Sequence, residues 1–284
     1  MKAPAFDYQR AASLPQVFDL MHRHGDDARL LAGGQTLVAT LNLRLSEPAL
    51  LIDIGGLDVL RGIQLTGNML RLGALSTHAE IETSALVASH APLLAQAAPH
   101  IAHAAIRNRG TLGGSLAYAD PAAEWPACAL ALDATLVLAS ARGERRVPVR
   151  SFFTGLYTTA LAADELILAL EVPVLASDER QAFDELARRH GDYAIAGLAA
   201  RAVKRQGQLF DLRLAFLGLE DRPVRAPRTE AALQGRAIDA ATLALALQTL
   251  KTELRPAGDL CNNPGTKQHL AGVLAQRVLR RLAA

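Results

Sequence analysis

Residues 106–126 read IRNRGTLGGSLAYADPAAEWP, and how this stretch folds decides how the chain is read. Gly110, Gly113 and Gly114 let the backbone turn tightly and bring bare N–H groups against an anion. Asp120-Pro121 has the form of a helix N-cap followed by proline at the first helical position, which predicts a helix over 121–132. Helix starts and glycine-rich turns both favour negative charge, so the segment reads as a backbone cradle for a phosphorylated cofactor. A second glycine loop, Leu30-Leu31-Ala32-Gly33-Gly34-Gln35-Thr36, lies upstream after a helix-like segment. Neither is a nucleotide fingerprint alone. No GxGxxG follows the first strand and no GxxxxGK[ST] occurs, which leaves Rossmann and P-loop readings little support.

The 284 residues suffice for two modest domains or one large one. Half are hydrophobic and 20% charged, as in a soluble globular protein, and with 4% aromatics the core must be mostly Ala, Leu and Val. A net charge of +2, without a polybasic block, argues against a nucleic-acid surface. Cys128 and Cys261 form no CxxC pair, which excludes an iron–sulfur or zinc site housed in this chain. Cys128 lies in an apolar helix-like run and reads as a buried thiol. Residues 1–10 lack the apolar core of a signal peptide, and no apolar stretch approaches the roughly 20 residues of a membrane span. The simplest setting is cytoplasmic and reducing.

Helix and strand signals alternate along the chain. Ser13 and Gln16 have capping-box spacing before a helix that Gly25 stops. Strands are expected over 29–32, 50–54 and 69–74, with Asp53 as either punctuation or a ligand contact. Thr77 and Glu80 offer a second capping box, and a further helix is expected over 93–103. Beyond the second glycine loop, 135–138 and 165–172 read as strands. Pro173 and the polar stretch 176–180 form the best boundary. Downstream, 193–203 and 209–218 with helices over about 229–254 and 266–282 make an α+β unit; 193–202 fits strand or helix on pattern alone. Residues by themselves give an α+β chain with two phosphate loops.

The segments LLAGGQTL, LIDIGGLDVLRGI, RLGALSTHAEIETS, IRNRGTLGGSLAYADPAAEWPACALALDATLVL, FFTGLYTTALAADELILALEVP and ARRHGDYAIAG run in order from Leu30 to Gly197. In that order, with HLAGVLAQRVLRR near the C-terminus, they resemble the FAD-binding medium subunit of molybdenum-containing hydroxylases, the group of bacterial CO dehydrogenase and xanthine dehydrogenase. The resemblance implies an α+β FAD-binding fold of the vanillyl-alcohol oxidase type over 1–175, with subdomains of about 1–57 and 58–175. A C-terminal α+β domain of the CO dehydrogenase flavoprotein type would fill 176–284. Three departures stand out. Gln35-Thr36 replaces the usual Thr, His or Asn followed by Asp, Ser or Glu; Ser115 replaces Asn; and Asp184-Glu185 stands where relatives often carry a lysine. Any flavin-tuning role of that lysine does not carry over.

The resemblance implies that FAD is held by Leu31, Ala32, Gly33, Gly34, Gln35, Thr36 and Leu37 of the first loop. Thr111, Gly113, Gly114 and Ser115 of the second loop join them, with the hydroxyls of Thr36, Thr111 and Ser115 suited to phosphate oxygens. Ile101, Ile106 and Ile167 are candidate apolar contacts, although apolar residues there need no function. Asp120 is a cofactor neighbour or a plain N-cap, and Glu124 a sugar contact or a solvated glutamate. Tyr193 is expected beside the isoalloxazine, or simply as a tyrosine at a domain junction. Arg107 and Arg109 either support the phosphates or sit on the surface, and Trp125 reads as core or interface. His22 and His24 fall on different helix faces, and His100 and His103 lack further ligands, so no metal site is expected. No catalytic nucleophile or base is expected either, because the flavin does the chemistry.

The resemblance further implies partners: a molybdopterin-containing large subunit and a small [2Fe–2S] subunit, as a dimer of heterotrimers. Electrons would pass from the iron–sulfur centres through FAD to NAD⁺, oxygen, a quinone or another soluble carrier. The alternatives are an assembly subunit with weak or no FAD, which the Gln35 and Asp184-Glu185 departures would suit, and a stand-alone flavin oxidoreductase.

Overall fold

A computed structural model describes residues 2–284, an α+β chain built on three main sheets. The first sheet is parallel, with β3 (Leu50–Asp53) between β1 (Asp7–Arg10) and β2 (Ala28–Leu31). Helix α1 (Leu14–His24) connects β1 to β2, and α2 (Leu37–Asn42) follows the first glycine loop. Ser13 accepts the Gln16 N–H, but the Gln16 side chain reaches the N–H of Ala12, so the box closes one residue early.

The second sheet is antiparallel. Its order is β4 (Ile63–Thr66), β5 (Met69–Gly73), β10 (Leu166–Pro173), β6 (Thr135–Ser140) and β7 (Gly143–Pro148). Six helices lie between β5 and β6 in sequence: α3 (His78–Thr83), α4 (Ala85–His90), α5 (Pro92–Ala97), α6 (Ala104–Arg107), α7 (Leu112–Tyr118) and α8 (Glu124–Ala131). The hairpin of β8 (Phe153–Gly155) and β9 (Thr158–Thr159) precedes β10. The third sheet runs β11 (Glu179–Leu186), β12 (Ala196–Arg205), β13 (Gln208–Leu217), β14 (Val224–Arg225). Short β15 (Arg236–Ala237) also pairs with β13, and α9 (Pro227–Leu233), α10 (Ala240–Glu253) and α11 (Pro264–Ala283) complete the chain.

Strand alternation sorts side chains into layers. Val137 and Ala139 of β6 join β3 and α1 in one core, while Leu136 and Leu138 point into a second core with α3, α4, α5, α7 and α8. Ala199, Ala215 and Leu217 complete that second core from the third sheet. Its other face, with Ala200, Leu214 and Phe216, packs on α9–α11. A central sheet buried on both faces explains why β6 and β10 read as continuous apolar runs rather than alternating ones.

Several expected elements change form. The helix expected from Pro121 begins at Glu124. Ala119 adopts φ +55°, and the Asp120 carboxylate accepts the Ala122 N–H at 2.9 Å, so Asp-Pro makes a turn before the helix instead of capping it. Pro126 then sits in the first turn of α8, where a missing N–H costs little. The expected 93–103 helix breaks at Pro99 and at Ala102, whose φ is +44°. The expected 229–254 helix divides at Gly235, which has φ +68°, into α9 and α10. Strand β11 begins inside the stretch 176–180 read as a boundary and continues through residues to which no element was assigned. The Thr77–Glu80 capping box forms as expected.

Candidate functional site

A cavity of about 650 Å³ opens between the first glycine loop, α7, the start of α8 and the segment 191–193. Ala32, Gly33, Gly34, Gln35, Thr36 and Leu37 line one side. Thr111, Gly113, Gly114 and Ser115 line another, with Asp120 and Glu124 beyond them. Ile101, Ile106, Ile167 and Tyr193 complete the expected set, all on the same cavity. Leu31 does not line it and packs instead beneath Gly34.

The two glycine segments do different work. In the first loop, the N–H groups of Gly34, Gln35, Thr36 and Leu37 donate to no acceptor among the described residues. The Gln35 amide folds back to the Gly33 carbonyl at 3.1 Å, so the long side chain does not cover that row. In the second segment, the expected bare N–H groups are already used. Leu112 donates to Ser76, Gly113 to Ala74 and Gly114 to the Thr111 hydroxyl, because Gly113 and Gly114 form the first turn of α7 instead of a loop. Glycine at 113 is required by packing: a β-carbon would sit 2.5 Å from that of Ala74. The first loop therefore supplies donors, and the second supplies a close helix–strand contact that shapes the wall.

A bulge in β10 between Ile167 and Ala169 turns Ile167 toward the cavity. Arg107 supports the site from behind. It pairs with Glu82 at 2.7 Å and donates to the carbonyls of Ile101 and Ala102, while neither it nor exposed Arg109 lines the cavity. Of the two readings, Arg107 thus supports the backbone in place of phosphates, and Arg109 takes the surface alternative. Asp53 accepts from Tyr8 and from the Gly55 N–H and is likewise away from the cavity. Asp184 accepts from Arg281, and Glu185 lies 3.5 Å from His100, so neither departure residue lines the cavity.

His78, Tyr118 and Tyr157 are among the lining residues that were not singled out from the sequence. His78 Nδ1 accepts from the buried Trp125 indole at 2.9 Å, which leaves the proton on Nε2, and burial lowers its pKa to about 4. Gly110 lies flat against that ring, where a β-carbon would be 2.6 Å from Nε2. The signal was present in STHAEI, a histidine at the first helical position of a capping box. Burial, with the Glu185 charge behind it, lifts the Glu124 carboxyl to about 8, so it carries its proton at neutral pH and can donate. Burial also raises Asp120.

The cavity thus joins a row of free N–H donors, short hydroxyls, apolar walls and tyrosine rings, a donor set and shape that fit an extended dinucleotide carrying an aromatic ring. Among the described residues no group of three or more His, Cys, Asp or Glu could hold a metal, and no helix is long and apolar enough to cross a membrane.

Comparison with known proteins agrees with this chemistry. Residues 4–175 match the family model for the FAD binding domain in molybdopterin dehydrogenase, and 181–282 match that for the CO dehydrogenase flavoprotein C-terminal domain. The chain is 39% identical over its whole length to 95% of the 6-hydroxypseudooxynicotine dehydrogenase complex subunit alpha of Paenarthrobacter nicotinovorans. It superposes on a chain of quinoline 2-oxidoreductase from Pseudomonas putida 86 with a TM-score of 0.95 at 38% identity, covering 100% and 98% of the two chains. For carbon monoxide dehydrogenase from Hydrogenophaga pseudoflava the TM-score is 0.96 at 35% identity, covering 99% and 98%.

Proposed function

This chain belongs to the family of FAD-binding subunits of molybdenum-containing hydroxylases, and from that premise we propose that it carries electrons from [2Fe–2S] centres of a partner subunit through FAD to a soluble acceptor such as NAD⁺, oxygen or a quinone. The observation that supports this most is the row of free N–H groups from Gly34 to Leu37 on the same cavity as Tyr193. Bound FAD supplies a ring that accepts electrons singly and releases them in pairs.

The protein's own residues hold and shield it. In our reading the Gly34–Leu37 N–H groups and the hydroxyls of Thr36, Thr111 and Ser115 face the diphosphate. Protonated Glu124 and the His78 Nε2–H donate to neutral oxygens of the sugar or ring, where a carboxylate would repel the phosphates. Ile101, Ile106 and Ile167 keep water from the apolar part, and Tyr193 covers a ring face. We assign 1–175, in subdomains meeting near 57, to cofactor binding and 176–284 to docking. The partners are a molybdopterin-containing large subunit and a [2Fe–2S] small subunit, as a dimer of heterotrimers in the cytoplasm.

The departures that would suit a subunit without FAD lend that reading no support. Gln35 folds away from the donor row, and Asp184 is answered by Arg281. The test is the visible spectrum of the chain, alone and with its partner subunits, before and after dithionite. Reversible bleaching of a flavin spectrum, with FAD released on denaturation, is expected. A folded, colourless complex that takes up no added FAD overturns the reading.

A further inference from the structure

A second cleft, of about 450 Å³, lies apart from the cofactor cavity and shares none of its lining residues. It opens where the two family-matched halves of the chain meet, with 130–154 on one wall and 222–225 on the other. Junctions of this kind are common places for small ligands, and the volume is in the range such ligands need. Leu130, Val149, Phe153 and Pro223, all buried, give the cleft a recessed apolar floor. The carbonyls of Cys128, Ala129 and Leu130, at the end of α8, already accept from N–H groups of 132–134.

The charge on the cleft has one sign. Arg150, Arg222 and Arg225 line it, and no carboxylate does. Arg225 is answered from behind by Glu230, which also accepts the Leu214 N–H at 2.8 Å, so that guanidinium is held in place with its charge balanced. The other two are not balanced. Nearby Arg142, Arg145 and Arg146 pair with Asp164, Glu165 and Glu171, whereas Arg150 and Arg222 have no carboxylate partner among the described residues. Arg222 is nonetheless fixed. A bulge in the β8–β9 hairpin between Phe153 and Gly155 leaves the Thr154 carbonyl outside the ladder, and Arg222 donates to it at 2.8 Å across the junction. The hydroxyls of Ser151 and Thr154 also line the cleft and make no side-chain hydrogen bond among the described residues.

We propose that this cleft is a second ligand site, which takes a small organic carboxylate with a flat apolar body, of the arylcarboxylate class. A guanidinium fork matches a carboxylate in shape as well as charge, and the two unbalanced arginines stand on opposite walls. The apolar floor separates this class from inorganic anions, which gain nothing by covering Leu130 and Phe153. A ligand held by Arg150 and Arg222 together ties the two halves of the chain, so its binding raises the thermal midpoint. The site is independent of the FAD reading.

The test is calorimetric titration of the purified complex, at fixed ionic strength, with benzoate, benzamide, acetate and inorganic phosphate. Benzoate is expected to bind at least about fivefold more tightly than benzamide, which has the ring without the charge, and than acetate or phosphate, which have the charge without the ring. Arg150→Gln is expected to weaken benzoate by about fivefold, the upper range for a solvent-exposed ion pair. Since Arg150 has no ion-pair partner to lose, the thermal midpoint of the unliganded variant should match wild type. Arg222→Gln also gives up the Thr154 bond, and its unliganded midpoint separates lost binding from a loosened hairpin. Flavin absorption is expected to stay constant through the titration, because cleft and cavity share no residue. Benzoate bound no better than benzamide, phosphate bound as tightly as benzoate, or an affinity that ignores Arg150→Gln overturns the inference and spares the FAD reading. A flavin spectrum that shifts with benzoate places the probe in the cofactor cavity and overturns it as well.

Discussion

Gly33 lies with its α-carbon against the backbone of Arg109, so close that a β-carbon would overlap the Arg109 carbonyl oxygen and stand 2.9 Å from the α-carbon of Gly110. The two glycine segments, 77 residues apart, therefore brace one another. Gly33→Ala forces two backbones apart, and a cost of about 2–4 kcal/mol is expected, with loss of bound FAD. Gly114→Ala meets only the Thr111 hydroxyl, at 2.9 Å, and should cost less. Denaturant midpoints with flavin content measured on both variants check the order; equal effects would mean that the loops do not brace.

His78 makes stability depend on acid. Its imidazole is held down to about 4 in the folded chain against 6.5 ordinarily, so between those values the unfolded chain binds a proton that the folded chain does not. Stability from this group rises with pH across that window, and about 3 kcal/mol is lost as pH falls through it. His78→Gln, which keeps an acceptor for the Trp125 indole, should flatten the acid limb in urea unfolding of the FAD-free chain. An unchanged limb would assign acid sensitivity elsewhere.

Glu124 acts in the opposite sense. Its folded pKa is raised from 4.5 to about 8, so between those values the unfolded chain has released a proton that the folded chain keeps, and stability falls as pH rises. Glu124→Gln should remove that decline. Unfolding curves from pH 5 to 8 on both proteins measure it, and a wild-type decline that persists in the variant would contradict the assignment.

Arg107→Lys keeps the charge but loses the fork that spans Glu82 and the carbonyls of Ile101 and Ala102. A loss of about 1–3 kcal/mol is expected, together with weaker FAD retention. Because Arg107 acts on the backbone and not on phosphate, the salt dependence of FAD affinity should stay as in wild type. A flatter dependence would instead mark direct phosphate contact.

Local signals and order along the chain made much of this legible. Thr77 and Glu80 announced a capping box, the run 135–138 announced a strand, and the ordered segments from Leu30 to Gly197 announced the family and with it FAD. Strand β7, with exposed Gly143 to Arg146, and the polar β11 gave no apolar run to read. Asp120-Pro121 satisfied the local rule for a helix start, yet the left-handed Ala119 and the turn closed by Asp120 postponed the helix.

The sequence by itself determined the class of cofactor and the two glycine segments, and its order along the chain pointed to about half of the residues that line the cavity, since each depends on residue type and order. Tertiary structure alone decided which glycines leave donors free and which allow close packing, because a free N–H is defined by what else approaches it. It also decided that Arg107 holds a backbone, that His78 is neutral against Trp125, and that three tyrosines distant in sequence share one mouth. Burial and neighbouring charge arise only when separate segments meet, and they set those protonation states and contacts.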